Sequence, residues 1–362
     1  MEREVRGAFA ASKGARVAVT GVRVPDPGPG EVLVRVRACG VCHTDLLLRE
    51  GTTRDDFPVL LGHEAAGTVE AIGDDVSGLV VGDSVVLAWL APCGLCRACQ
   101  RGRPSCCSNS RKASQPMTLA DGTPLSKALG IGGFAELTLV ASGQAIKIDS
   151  RARPEAAALI GCGITAGYGA ALHTGEVKQA DTVAVFGCGA VGAAAVHASA
   201  MVGARRVIAV DIDDRKLQWA LELGATDAIN ATRTDPVRGV QAVTDGLGAD
   251  VTIEAVGLEE VMQQAFRARD YGGTMVQVGV PERSMRMDVP FREFFTRGGA
   301  LKPSHYGDCL PARDFPVLVD LYLRGRFDLD RFVSETIGLD EVEGAFAKMR
   351  SSQILRSVVV FP

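Results

Sequence analysis

The sequence predicts an α/β chain in two parts: a β-rich, loop-rich part carrying clustered cysteines and a histidine motif, and a domain built on a doubly wound parallel sheet. Three observations carry that prediction. Cys42-His43-Thr44-Asp45, Gly62-His63-Glu64 and Gly161-Cys162-Gly163 supply two thiols and an imidazole from separate segments. Cys93, Cys96, Cys99 and Cys107 crowd a single loop. Gly187-x-Gly189-x-x-Gly192 directly follows the apolar run Thr182–Phe186, as a dinucleotide-binding turn does.

With 362 residues the chain is long enough for two domains with sizeable cores. Hydrophobic content of 47% and charged content of 23% are ordinary for a globular protein. A net charge of −4 gives no support for nucleic-acid or anionic-membrane partners. MEREVRGAFA lacks the apolar stretch of a signal peptide, and no run approaches the roughly 18 apolar residues of a membrane span. The expected compartment is the cytoplasm. In that reducing setting the ten cysteines read as metal ligands or buried apolar residues, not as disulfides.

Residues 31–38 (EVLVRVRA) alternate apolar and polar, which predicts a half-buried strand after the turn at Pro25–Gly30. Further strand-like runs occur at 65–72, 79–87 and 134–140. From about 155 the character changes. The Ala-rich segment 155–173 predicts a helix, and strand-like runs at 182–186, 206–210, 251–255 and 274–278 alternate with helical stretches, which implies parallel βαβ units. Near 306 the alternation breaks; 313–325 and 339–349 read as helices and 354–361 as a strand.

The loop spacing C-x2-C-x2-C-x7-C suits four thiolates around one structural zinc, with Arg97, Arg101 and Arg103 available to offset the charge. Core cysteines and an iron–sulfur cluster are the competing readings. The usual cluster run has three residues before its last cysteine and a proline after it, whereas Ser108 follows Cys107. Cys106 is off-spacing and reads as a non-ligand.

Cys42, His63 and Cys162 suit an open zinc site with a position left for substrate. Glu64 is a candidate transient ligand or supporting group. Asp45 is a natural partner for the second ring nitrogen of His63, or else a turn carboxylate. Such a zinc acidifies bound water, and a bound alcohol in the same way. Thr44 is then placed to accept the alcohol's proton; its alternative role is a turn hydroxyl.

The second strand of the nucleotide unit, Val207–Val210, ends in Asp211. A carboxylate there bonds ribose hydroxyls and repels a 2′-phosphate, favouring NAD over NADP. Lys216 is a further ribose contact. The pyrophosphate is expected on the helix N-terminus, with Arg356 and His43 as charge partners or, alternatively, as surface charges.

Together these residues resemble the zinc-dependent medium-chain alcohol dehydrogenases. The resemblance covers essentially the whole chain. It implies a GroES-like catalytic domain in two segments, 1–162 and 306–362, around a Rossmann coenzyme domain, 163–305. It also implies a homodimer or a homotetramer, and places Trp89 and Phe134 near the catalytic zinc. Within the family, ACGVCHTDL (38–46), LLGHEAAG (60–67), CGLCRACQRGRP (93–104), MTLADGTPL (117–125), GGALK (298–302) and YGDCLPARDFP (306–316) are similar to the mycothiol-dependent formaldehyde dehydrogenases. Those enzymes oxidise the adduct S-(hydroxymethyl)mycothiol to S-formylmycothiol with NAD. One departure stands out. Many family members carry a histidine five residues after the first cysteine ligand, as the outer end of a proton relay, and here that residue is Leu47. The expected route then runs from Thr44 through the cofactor ribose to water. An NAD-dependent dehydrogenase of an aryl or biosynthetic alcohol, needing no thiol, is the competing enzyme. A non-catalytic metal store or nucleotide sensor is the competing binding protein, and intact Cys42 and His63 argue against it.

Overall fold

The computed structural model describes residues 2–362. It divides into two compact units, Met1–Cys162 with Leu310–Pro362, and Gly163–Cys309. The second unit therefore ends at Cys309 and not at 305. The turn His305–Asp308 packs within that unit, where the Cys309 thiol donates to the carbonyl of Thr165 at 3.5 Å. Among the described residues no single helix is long and apolar enough to cross a membrane.

In the first unit, strands Arg3–Ala10, Ala18–Val24, Met117–Leu119, Pro124–Lys127 and Val59–Leu60 close a small barrel. Beside it runs a sheet in the order Ala145–Lys147, Ser84–Leu87, Glu64–Ile72, Glu31–Gly40, Ser357–Val360, Glu335–Ile337. Leu137–Ala141 also pairs with Glu31–Gly40. The strand Glu31–Gly40 is thus the hub of the sheet. Its alternation suggested one wet face, but both faces are covered. Val32, Val34 and Val36 join one apolar cluster, while Leu33 joins a second with Val22, Leu60 and Met117. The charged positions meet partners instead of open water: Arg35 forks onto Glu70 with two 2.9 Å bonds.

The second unit is a six-stranded parallel sheet in the order Asp227–Asn230, Arg206–Asp211, Thr182–Phe186, Ala249–Glu254, Arg269–Gln277, Ala300–Pro303. In chain order that is 3-2-1-4-5-6, the doubly wound arrangement whose strand order reverses between the first and fourth strands. Thr182–Phe186, at the centre, is buried throughout, as a parallel strand covered on both faces must be.

The Ala-rich segment is not one helix. Helix Pro154–Ala158 tightens into a turn at Leu159–Gly161, and helix Gly163–Gly169 begins after Cys162, whose backbone (φ −148°, ψ −82°) is not helical. Composition predicts helix here, and a single residue that must leave the helix to aim its thiol overrides it.

Glu31 anchors the segment that follows the four-cysteine loop. Its carboxylate accepts from Gly28 N (3.0 Å), Ser114 N (2.6 Å), Ser114 Oγ (2.9 Å), Gln115 N (3.2 Å) and Gln115 Nε2 (2.7 Å). Burial alone would push its carboxyl up, but these bonds, led by Gln115, outweigh it and hold the pKa down to about 2. A folded-state pKa below the unfolded value means the stabilisation is present above about pH 4.5 and drains away as pH falls toward 2. The shift corresponds to about 3 kcal/mol at neutral pH. Glu31→Gln is therefore expected to lower stability by about 2–3 kcal/mol at pH 7 and by less than half of that at pH 3. Denaturant unfolding at the two pH values measures it, and an equal loss at both contradicts the account.

Candidate metal centres and nucleotide turn

The open site is assembled around Asp45. Strand Glu31–Gly40 delivers the chain to Cys42, which caps helix His43–Arg49. Asp45, in the first turn of that helix and fully buried, turns its carboxylate back. Oδ2 accepts the Cys42 N–H at 3.2 Å, and Oδ1 accepts the Gly62 N–H at 2.9 Å and faces His63 Nδ1 at 3.0 Å. A carboxylate only accepts, so Nδ1 carries a proton and Nε2 is the ring atom left for a ligand. His63 Nε2 is buried and has no hydrogen-bond partner among the described residues. Ligand atoms of Cys42, His63, Glu64 and Cys162 all lie within 4.8 Å of one another.

The electrostatics fit a cation. The hydrogen bond from Cys162 holds the Cys42 thiol well below its ordinary pKa, against burial and helped by the charges of Arg356 and His63. The same bond, with burial, pushes Cys162 well up, so the two thiols share one proton. Burial opposes protonation of His63, yet Asp45 and Cys42 draw positive charge onto the ring. Burial raises Glu64 to about 8, opposed by Arg356. Two thiols, an imidazole nitrogen and a carboxylate packed out of water are the donor set of a zinc site, and a divalent ion there would displace the thiol and Nε2 protons. Cys42, His63 and Cys162 would hold it, with Glu64 alongside.

Glu64 and Arg356 form a buried pair: Nη2 donates to Glu64 Oε1 at 2.9 Å and to Cys42 Sγ at 3.7 Å, while Nη1 donates to the Val41 carbonyl at 3.4 Å. This rules out the surface-charge alternative for Arg356: the residue is only 6% exposed and its guanidinium is engaged at the metal pocket. The cause is the terminal strand Ser357–Val360, which pairs with Ala38–Gly40 and seats the preceding residue beside Cys42. Gly40 was also missed. A Cβ there would collide with the Glu64 carboxylate, so the close approach requires glycine.

The four-cysteine loop closes on itself. Sulfurs of Cys93 and Cys107 lie 3.6 Å apart, Cys96 and Cys99 3.6 Å, and Cys96 and Cys107 3.9 Å. Backbone N–H groups of Leu95 (3.4 Å) and Cys96 (3.3 Å) point at Cys93 Sγ, and that of Cys93 (3.3 Å) at Cys107 Sγ. Backbone donors lower Cys96 to about 6, while burial among the neighbouring thiols raises Cys99 to about 12. Four sulfurs this close resist ionising together unless a cation neutralises them. Cys106 is exposed and outside the cluster, and Arg97, Arg101 and Arg103 are exposed on the loop.

In the second unit, Gly187 (φ +89°) turns the chain from strand Thr182–Phe186 into helix Ala190–Met201, and a Cβ on Gly192 would collide with the Gly187 carbonyl. Space beside Gly189 is open, as a phosphate's approach requires. Asp211 is tied to this turn: Oδ2 accepts the Cys188 N–H at 2.7 Å, and Oδ1 those of Ile212 (2.8 Å) and Asp213 (3.0 Å). A carboxylate has about four acceptor positions, so capacity for a hydroxyl remains. Lys216 is half-buried on helix Asp214–Glu222, close enough to Cys188 to act on its thiol electrostatically.

The other expected residues fall as follows. His43 is exposed and Thr44 and Leu47 half-buried on helix His43–Arg49. Phe134 is fully buried in the core that includes Val59 and Leu61, with Trp89 partly buried against that core.

The comparisons with known proteins agree with this geometry. Residues 28–150 match the family model of the alcohol dehydrogenase GroES-like domain, and residues 190–324 that of zinc-binding dehydrogenases. The chain is 35% identical over 366 aligned positions to S-(hydroxymethyl)glutathione dehydrogenase of Escherichia coli O1:K1 / APEC, covering 98% of this chain and 99% of that protein. The crystal structure of an alcohol dehydrogenase zinc-binding domain protein from Burkholderia ambifaria matches with a TM-score of 0.94 at 36% identity, covering 100% of both chains. Benzyl alcohol dehydrogenase from Acinetobacter calcoaceticus matches with a TM-score of 0.93 at 31% identity, covering 99% of this chain and 100% of that one. The protein belongs to the zinc-dependent medium-chain alcohol dehydrogenase family, and it is an oxidoreductase of that class.

Asp45→Asn replaces an acceptor-only group by one that turns an N–H₂ toward the donors of Cys42 or His63. It is expected to weaken metal at the open site by about 10- to 100-fold and to leave the four-cysteine site unaffected. Stepwise chelator competition with metal analysis checks this; equal loss from both sites, or from neither, contradicts it.

Proposed function

We propose that this protein transfers a hydride from a primary alcohol or thiohemiacetal to NAD, with S-(hydroxymethyl)mycothiol oxidised to S-formylmycothiol as the favoured reaction. The observation that carries the reaction class is the buried convergence of Cys42, His63 and Cys162, with His63 Nε2 facing the thiols and taking no hydrogen bond among the described residues. The thiol-adduct substrate is supported by similarity to S-(hydroxymethyl)glutathione dehydrogenase and by the sequence stretches quoted above. NAD is favoured because Asp211 sets a fixed carboxylate where a 2′-phosphate would sit, tied by three backbone N–H groups.

Zinc held by Cys42, His63 and Cys162 would supply a Lewis acid for the substrate oxygen. The chain does the rest. Asp45 locks the His63 tautomer and orientation, and Arg356 offsets the charge of Glu64 and Cys42. As the substrate carbon gives up its hydride to NAD, the oxygen gives up a proton; we assign the Thr44 hydroxyl to take it while passing its own hydrogen by way of the cofactor ribose to water, since Leu47 carries no proton onward. A small-molecule substrate, a cytoplasmic location and a homodimer or homotetramer complete the proposal. The assembly is supported by strand Ala300–Pro303, which ends the parallel sheet, and by Phe291 and Phe295, 86% and 81% exposed on the preceding helix.

Oxidation of an aryl alcohol without any thiol is the second reading, favoured by similarity to benzyl alcohol dehydrogenase. Reduction of NAD and of NADP is to be followed with formaldehyde plus mycothiol, formaldehyde plus glutathione, formaldehyde alone, and benzyl alcohol. The proposal expects turnover that requires mycothiol and prefers NAD. Thiol-independent oxidation of benzyl alcohol as the dominant reaction would sink the thiohemiacetal reading and leave the reaction class standing.

A further inference from the structure

A buried acid at the carboxyl end of the parallel sheet has no part in the chemistry above. Glu254 ends the fourth strand, Ala249–Glu254, and pairs in register with Phe186, the residue before the glycine turn. Its side chain is 0% exposed. Oε1 accepts the N–H groups of Val256 (2.7 Å) and Gly257 (2.6 Å). Its backbone carbonyl accepts those of Val278 and Gly279, both at 2.9 Å. One residue thus ties together the turns that leave the fourth and fifth strands.

The tie is tight. A Cβ on Gly279 would lie 2.6 Å from Glu254 Oε2, and one on Gly257 (φ +85°) would lie 2.5 Å from the Val280 carbonyl. Oε2 is buried with no hydrogen-bond partner among the described residues. Burial raises the carboxyl's pKa, partly countered by the two N–H bonds. An acid in this position costs stability, which a merely structural turn has no need to bear.

In a sheet of this order the dinucleotide lies across the carboxyl ends where strand order reverses, one nucleotide over each half. Asp211 and the glycine turn serve the first half. The second half ends in the two turns that Glu254 ties. They expose Val256 (43%) and Val280 (76%), and Val256 abuts Gly187 so closely that a Cβ there would collide with it. Two apolar side chains on a ligand-facing edge suit the flat faces of a ring.

We propose that Glu254 is a positioning residue for the nicotinamide-bearing half of the cofactor: it ties Val256–Gly257 to Val278–Gly279 and so presents Val256 and Val280 to that half, independently of the hold of Asp211 on the adenosine half. The inference rests on the NAD reading above. It is tested on the zinc-loaded full chain by fluorescence titration of NADH and by competition with AMP. Glu254→Ala is expected to weaken NADH by about tenfold or more and to leave AMP within about twofold. Glu254→Gln, which keeps an oxygen for the two N–H groups, is expected to restore most of the NADH affinity. Glu254→Gln carries the test if Glu254→Ala does not fold: it is then expected to bind NADH and AMP within about twofold of the wild type, and a loss of NADH affinity as large as tenfold overturns the inference. Equal weakening of both ligands, or unchanged NADH affinity, in Glu254→Ala overturns the inference while the wild type still binds NADH and the NAD reading stands. A wild-type protein that binds neither ligand overturns both.

Discussion

The buried carboxylate of Asp45 is the constraint on which the candidate active site depends. It cross-links two segments that the paired strands Glu31–Gly40 and Glu64–Ile72 already bring side by side. It takes the Cys42 N–H from its own helix, and the Gly62 N–H and His63 Nδ1 from the start of strand Glu64–Ile72. These bonds fix the imidazole tautomer and point Nε2 at the thiols. Because Asp45 is 0% exposed, it competes with no water for these donors, and each bond is stronger for it. The approach of Cys42 and His63 to one another is fixed at that node.

Elsewhere in the fold several buried charges are matched by partners. Arg356 arrives on the terminal strand to face Glu64, and Glu31 gathers five donors from Gly28, Ser114 and Gln115 beside the loop of four cysteines. In the second unit Asp211 repeats the device: one carboxylate accepts from the glycine turn and from its own strand end, so the two are held by a single group. Each is a buried acid whose oxygens are met mainly by N–H donors, which keeps a buried polar group from costing stability.

Much of this was legible in the sequence because metal and phosphate chemistry admit few residue types. Two cysteines and a histidine with open donors, four cysteines in one loop and a strand-glycine-helix turn leave little choice, and Asp45 follows from standing three residues after a ligand. Arg356 was not legible as a partner of Glu64. The two are separated by 292 residues, and only pairing of the last strand with Ala38–Gly40 brings them together. Alternation in EVLVRVRA suggested a wet face, but a hub strand paired along both edges buries both faces and answers its charges with Glu70 and a set of N–H donors. The break at Cys162 was invisible for a related reason: an Ala-rich composition says helix, and the demand that one thiol leave the helix is set by partners elsewhere in the chain. Glu254 carries no motif, and its importance emerges only from the two turns it ties.

The central claim is that the chain holds two zinc ions of different kinds, one enclosed by four sulfurs and one held by two sulfurs and the freed nitrogen of His63. Zinc-edge X-ray absorption on the purified protein, with metal stoichiometry on the same sample, tests it most directly. The account predicts two zinc per chain with an average of about three sulfur ligands each and a resolved imidazole contribution. One zinc per chain, an all-sulfur environment, or iron in place of zinc would contradict it.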